Sequence, residues 1–176
     1  RGHAIEARLY AEDPANDYLP ATGTVVAWAA PSGDGVRVDA GIDTGSEITS
    51  FYDPMAAKII AHGADRDEAR VRLIRALERT VALGPVTNRE MLIATLRTDT
   101  FAGGGATTAF LDEEAIRPAR PASADLAAVA AWSYGRRRAE AEARAPGLAG
   151  WSSGGVLRSQ QRLRVGDDEL SVTLAE

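Results

Sequence analysis

The 176-residue chain has no cysteine, which excludes disulfides, thiolate metal sites and a cysteine nucleophile. It has only two histidines, His3 and His62, and their separation in sequence argues against a zinc site built on imidazoles. No apolar run approaches the roughly 18 residues of a membrane span, and no signal-peptide pattern is present. Basic residues are in the minority: 20 Lys and Arg against 25 Asp and Glu leave a net charge of −5. That balance argues against a general binder of nucleic acid or anionic membrane, though not against one local basic site. An initiator methionine is missing too, and the chain opens on what reads as mid-strand, as a piece of something larger would. At 45% hydrophobic it can build one medium core or two small ones, and the expectation is a cytoplasmic globular fragment.

What is present begins at the first strand. In Gly2 to Glu12, Ala4, Glu6, Arg8 and Tyr10 share one face of a period-2 pattern, while Ile5, Ala7 and Leu9 share the other. One side can be buried; the other then shows a carboxylate, a guanidinium and a phenol in a row. Asp13-Pro14 ends the strand, because proline has no N–H for a ladder. An arginine held on a rigid strand can bind an anion.

Further strands are expected over 23–30, 36–39 and 55–62, separated by the turn-rich run 31–35 and a loop from Gly41. From Asp65 to Leu83 the period changes: Ala69, Leu73, Ala76, Leu77 and Val81 follow the spacing of an amphipathic helix. Asp65 or Asp67 supplies its cap and Gly84-Pro85 its stop. Thr87-Asn88-Arg89-Glu90 fits a capping box for a second helix through Leu96, and a third short helix is expected over 108–116. Gly103-Gly104-Gly105 reads as a hinge, since no Lys-Ser/Thr follows to complete a phosphate loop. Residues 117–122 read as a linker, followed by a long helix from Ser123 to about Ala145 and a β-hairpin over 156–174. The Arg136-Arg137-Arg138 run, with Glu140 and Glu142 beside it, reads as a solvated helix face.

Three segments hold polar residues beyond what packing asks for: Glu6-Ala7-Arg8, Phe51-Tyr52-Asp53-Pro54-Met55, and Gly84-Pro85-Val86-Thr87-Asn88. Each also has a plain structural reading. Arg8 fits a strand arginine paired with Glu6 or Glu12, Asp53 a turn-former before proline, and Thr87 a helix cap; for Thr87 the cap is the preferred reading.

Taken in order, the strings GHAIEARLYAEDP, Leu19-Pro20-Ala21-Thr22-Gly23, Gly35-Val36-Arg37, Tyr52-Asp53-Pro54-Met55 with Lys58, and Gly84 with Thr87-Asn88 resemble the C-terminal domain of biotin carboxylase. The resemblance covers residues 1 to about 116 and is closest to the α subunits of bacterial acyl-CoA carboxylases of propionyl-, acetyl- or methylcrotonoyl-CoA type. It implies an α+β fold: a small mixed or antiparallel sheet with helices packed on it over 1–116, the linker 117–122, and over 123–176 a long helix with the first strands of a β-rich domain that joins the carboxyltransferase subunit. It implies a ligase that uses ATP, Mg2+ and bicarbonate to carboxylate biotin, with Arg8 holding biotin's ureido oxygen as it becomes an enolate. Asp53, and with it Glu6, is then expected to orient Arg8 from behind, and Arg37 falls in a stretch associated with dimer contacts, an exposed strand arginine being the equal alternative. The implied partners are a biotinylated carrier domain and, within an oligomeric holoenzyme, a carboxyltransferase β subunit, with no nucleic acid and no membrane. The ATP-grasp domain and the biotin-accepting Met-Lys module are not in this sequence, so the chain alone is expected to be inactive, forming one wall of a shared site. The competing reading is a non-catalytic assembly module that docks a partner subunit through residues 123–176; truncation at residue 120 separates the two.

Overall fold

A computed structural model describes residues 1–114, 116, 123–147, 158–165 and 168–175. The chain divides into two compact units, residues 1–119 and 120–176. The expected linker at 117–122 and the hairpin turn at 166–167 lie outside the described residues, as does the start of the hairpin at 156–157.

The first unit carries β1 (His3–Tyr10), β2 (Glu12–Asp13), β3 (Leu19–Pro20), β4 (Gly23–Thr24), β5 (Ala27–Ala29), β6 (Val36–Ala40), β7 (Glu47–Ile48), β8 (Met55–Gly63), α1 (Arg66–Arg79), β9 (Val81–Leu83), α2 (Arg89–Arg97), α3 (Asp99–Ala102) and α4 (Phe110–Glu113). Its main sheet has the order β1-β8-β6, antiparallel throughout, with β8 in the centre. The alternation in β1 is realised: Ile5, Ala7 and Leu9 are buried and Ala4, Glu6 and Arg8 are exposed. On the buried face α1 lays Ala69, Leu73, Ile74, Ala76 and Leu77 over Ile5, Ala7, Ile59 and Ala61, with Ile93 and Leu96 of α2 closing the cluster. Small side chains on the strands let α1 come close. At Gly63 a Cβ would stand 2.5 Å from the backbone N of Ala69, so only glycine admits the helix start there. Asp65 caps α1, its Oδ1 accepting the N–H of Glu68 at 2.8 Å. This is the expected α+β fold.

Several elements differ from the sequence reading. Helix α1 stops at Arg79, short of Gly84-Pro85, because Thr80 turns extended (φ −68°, ψ 123°) and buries its hydroxyl on Ala76 O at 2.9 Å. Val81 to Leu83, which continue the helical spacing, instead form β9 and pair antiparallel with β5. The strand expected over 23–30 is split: Gly23–Thr24 pairs with β7 and Ala27–Ala29 with β9, so its two halves answer to different partners. Thr87 does not cap α2; the N-cap is Asn88, and it makes no side-chain cap bond. The third helix is reduced to Phe110–Glu113, and the unforeseen α3 starts from Thr98, whose hydroxyl accepts the N–H of Phe101 at 3.2 Å.

The second unit carries α5 (Ser123–Arg144) and the antiparallel pair β10 (Arg158–Val165) and β11 (Asp168–Ala175), with α5 against the hairpin. Ala130 and Gln161 are buried, while Val129 and Trp132 face outward. Arg136 stacks over Trp132 at 5.3 Å and bonds Glu140 at 3.2 Å, as a solvated helix face should.

Candidate active site

The exposed face of the β1-β8-β6 sheet presents Glu6 and Arg8, with Lys58, Arg37 and Asp39 on the neighbouring strands. On β1, Arg8 Nε donates to Glu6 Oε1 at 3.3 Å, the two side chains being 58% and 39% exposed. Glu6 first and Tyr10 second hold the Arg8 guanidinium more firmly protonated than a free arginine. Register places Arg8 opposite Lys58 on β8, and Lys58 opposite Asp39 on β6. The next row inward is Glu6, Ile60 and Arg37. Arg37 therefore shares the face with Arg8 but stands on the far strand, where Nε and Nη2 each reach Asp39 at 2.9 Å. That exposed pair raises the Arg37 pKa. A hollow of about 300 Å³ opens beside Lys58, lined also by Asp39, Gly41 and Met55.

Asp53 is not brought to Arg8. Its Oδ1 accepts the N–H of Met55 at 2.9 Å, closing the turn before β8, and its charge is felt by Glu12. The carboxylate beside Arg8 is that of Glu6. Phe51 and Tyr52, in the same loop, are exposed.

Asn88, read from the sequence as part of a capping box and of the family string Thr87-Asn88, lies at the back of this site. Asn88 is buried, and its carboxamide reaches β1: Oδ1 accepts the N–H of Tyr10 at 3.0 Å, and Nδ2 donates to Arg8 O at 3.3 Å and to Glu12 Oε1 at 3.1 Å. Burial pushes the Glu12 carboxyl above its ordinary pKa, the Asn88 bond pulls it down, and the Asp53 charge pushes it up; the net direction is up. The signal in the sequence was the string Thr87-Asn88 itself, with the weight placed on the wrong residue. Among the described residues no group of three or more His, Asp or Glu is set to hold a metal ion, and no helix is long and apolar enough to cross a membrane.

The sequence profile of the Biotin carboxylase C-terminal domain matches residues 6–113, which include Arg8, Lys58 and Asn88. The chain belongs to the biotin carboxylase C-terminal domain family. A pyruvate carboxylase subunit of Methanothermobacter thermautotrophicus is 43% identical over 113 residues, covering 64% of this chain and 23% of that protein. The mitochondrial alpha subunit of methylcrotonoyl-CoA carboxylase from Dictyostelium discoideum is 33% identical over 172 residues, covering 93% of this chain and 24% of that protein. Among solved structures, the biotin carboxylase domain dimer of the 2-oxoglutarate carboxylase of Hydrogenobacter thermophilus, in complex with MgADP and bicarbonate, superimposes with a TM-score of 0.63. It is 35% identical and covers 64% of this chain and 25% of that one. The chain thus spans about a quarter of the length of each of these proteins.

Proposed function

We propose that the chain forms the C-terminal wall of a biotin carboxylase site in the α subunit of an acyl-CoA carboxylase, and that Arg8 is its catalytic residue. The single observation that carries this reading is the exposed, protonated Arg8 on a family-matched strand, with one N–H engaged by Glu6 and the side chain more than half exposed. Biotin, when bound, supplies the ureido nitrogen that takes up the carboxyl group. The residues present fit its ureido oxygen: that oxygen needs directed N–H donors, and a guanidinium offers a planar fork whose charge is not lost near neutral pH. Arg8 donates to the oxygen as negative charge grows there, and Glu6 keeps the fork turned along the strand. A preorganised donor of this kind contributes about 3 kcal/mol to the transition state.

ATP and Mg2+ are assigned mainly to a domain outside this chain, and a biotinylated carrier domain brings the biotin. The acyl-CoA type is favoured over the pyruvate type because the similarity to the methylcrotonoyl-CoA carboxylase subunit runs through 93% of the chain, whereas that to the pyruvate carboxylase subunit covers 64%. Residues 123–176 then belong to the segment that meets the carboxyltransferase β subunit in an oligomeric holoenzyme. The test is Arg8→Gln in the carboxylase that contains this chain. Carboxylation of free biotin should fall about 100-fold or more, and a normal rate refutes the assignment.

A further inference from the structure

Strand β1 is an edge of its sheet, so from Arg8 to Tyr10 its outward backbone groups have no neighbouring strand among the described residues to pair with. At this point the strand also leaves the regular ladder, since the register with β8 shifts between Leu9 and Tyr10. Asn88 takes the place of the missing strand. Its side-chain amide forms one rung, accepting from Tyr10 N–H and donating to Arg8 O, and its own backbone N–H donates to Tyr10 O at 3.1 Å. The remaining Nδ2 hydrogen goes to Glu12 Oε1 at 3.1 Å. The orientation of the amide is determined by these partners: a flip would set its oxygen against two acceptors and its nitrogen against a donor. Aspartate has the same shape but nothing to donate, and an apolar residue offers neither function.

We propose that Asn88 is a positioning residue for Arg8, holding the backbone of the strand so that the guanidinium meets the ureido oxygen of biotin. The inference rests on the reading of Arg8 given above. Asn88 touches neither substrate nor reacting atoms; it acts on the two peptide groups that bracket Leu9. Misplacement of a donor by a fraction of an ångström lowers the rate of the step it serves while leaving the other half of the site intact.

The experiment uses the whole carboxylase that contains this chain, as Asn88→Asp, Asn88→Ser, Arg8→Gln and the double variant Arg8→Gln/Asn88→Asp. Asn88→Asp is expected to lower kcat for ATP turnover driven by free biotin about tenfold or more, with bicarbonate-dependent turnover without biotin unchanged. Added to Arg8→Gln it should cost nothing further, because both changes remove the same interaction. Hydrogen exchange gives a readout separate from activity: the Tyr10 amide should lose protection while amides of β8 keep theirs. Asn88→Ser should show the same pattern and serves where the aspartate variant does not accumulate. A parallel fall of the biotin-independent turnover, losses that multiply in the double variant, or normal kinetics beside a crippled Arg8→Gln each overturn the role of Asn88 alone. Normal biotin carboxylation by Arg8→Gln overturns the reading of Arg8 itself, and the role of Asn88 with it.

Discussion

Gly84→Ala should be among the most damaging single-methyl additions in the first unit. Gly84 follows β9 with φ +127°, a region L side chains rarely adopt, and a Cβ there would run into the carbonyl oxygen of Thr24 and stand 3.1 Å from the backbone N of Val26. Two costs add. The backbone strain of a non-glycine residue in such a region is about 1–3 kcal/mol, and forcing a methyl into packed backbone is about another 1–3 kcal/mol. A total of about 4 kcal/mol is a large share of the roughly 5–15 kcal/mol that stabilises a domain. In a unit of this size it lowers Tm by about 15 °C. Gly33→Ala is the matched control: φ is +152° there, but nothing lies within 4 Å of the added Cβ. It should show the strain without the overlap, and so about half the loss or less. Thermal and urea unfolding of both variants measures the difference. Equal losses in the two, or a loss under about 1 kcal/mol at Gly84, would refute the steric argument. The consequence extends to the site, because Val26 N–H bonds Leu83 O at 2.7 Å and Gly84 begins the loop that delivers Asn88 to β1.

Glu12→Gln tests the carboxyl behind the site. Its pKa is raised in the folded protein, chiefly by burial, so the native state binds this proton more tightly than the unfolded chain does. The stability it contributes is present at acid pH and is lost as pH rises above the ordinary value of 4.5. The wild type should therefore lose stability relative to Glu12→Gln between acid and neutral pH, as urea midpoints would report, and parallel curves would rule the effect out. The holoenzyme that contains this chain should carboxylate an acyl-CoA of the propionyl-, acetyl- or methylcrotonoyl type and not pyruvate. Incorporation of labelled bicarbonate into each acceptor decides this, and label in the pyruvate arm would reverse the choice.

Much of the first unit was legible because its signals are local. The alternation of Ile5, Ala7 and Leu9 against Ala4, Glu6 and Arg8 reports which side of β1 is buried, and the spacing of Ala69, Leu73, Ala76 and Leu77 does the same for α1. The Glu6–Arg8 pair follows from the same period, since residues two apart on a strand share a face. Val81 misled because helical spacing describes the chain before it and carries no information about β5, the strand that β9 meets. For Asp53 the local reading is the one realised: its Oδ1 accepts the N–H of Met55, two residues away, as a turn-former before proline does.

The sequence by itself determined the buried and exposed faces of β1 and α1, which are written in short-range periodicity, and the strings that tie the chain to its family, whose resemblance implies the α+β class. The tertiary structure alone decided which partners the polar groups take. Asn88 reaches Tyr10, Arg8 and Glu12 across 78, 80 and 76 residues of chain, and the preference of an asparagine for a helix cap is a local tendency that says nothing of an edge strand brought alongside. Buried amides and open strand edges must find hydrogen bonds somewhere, and only the folded chain brings the two together.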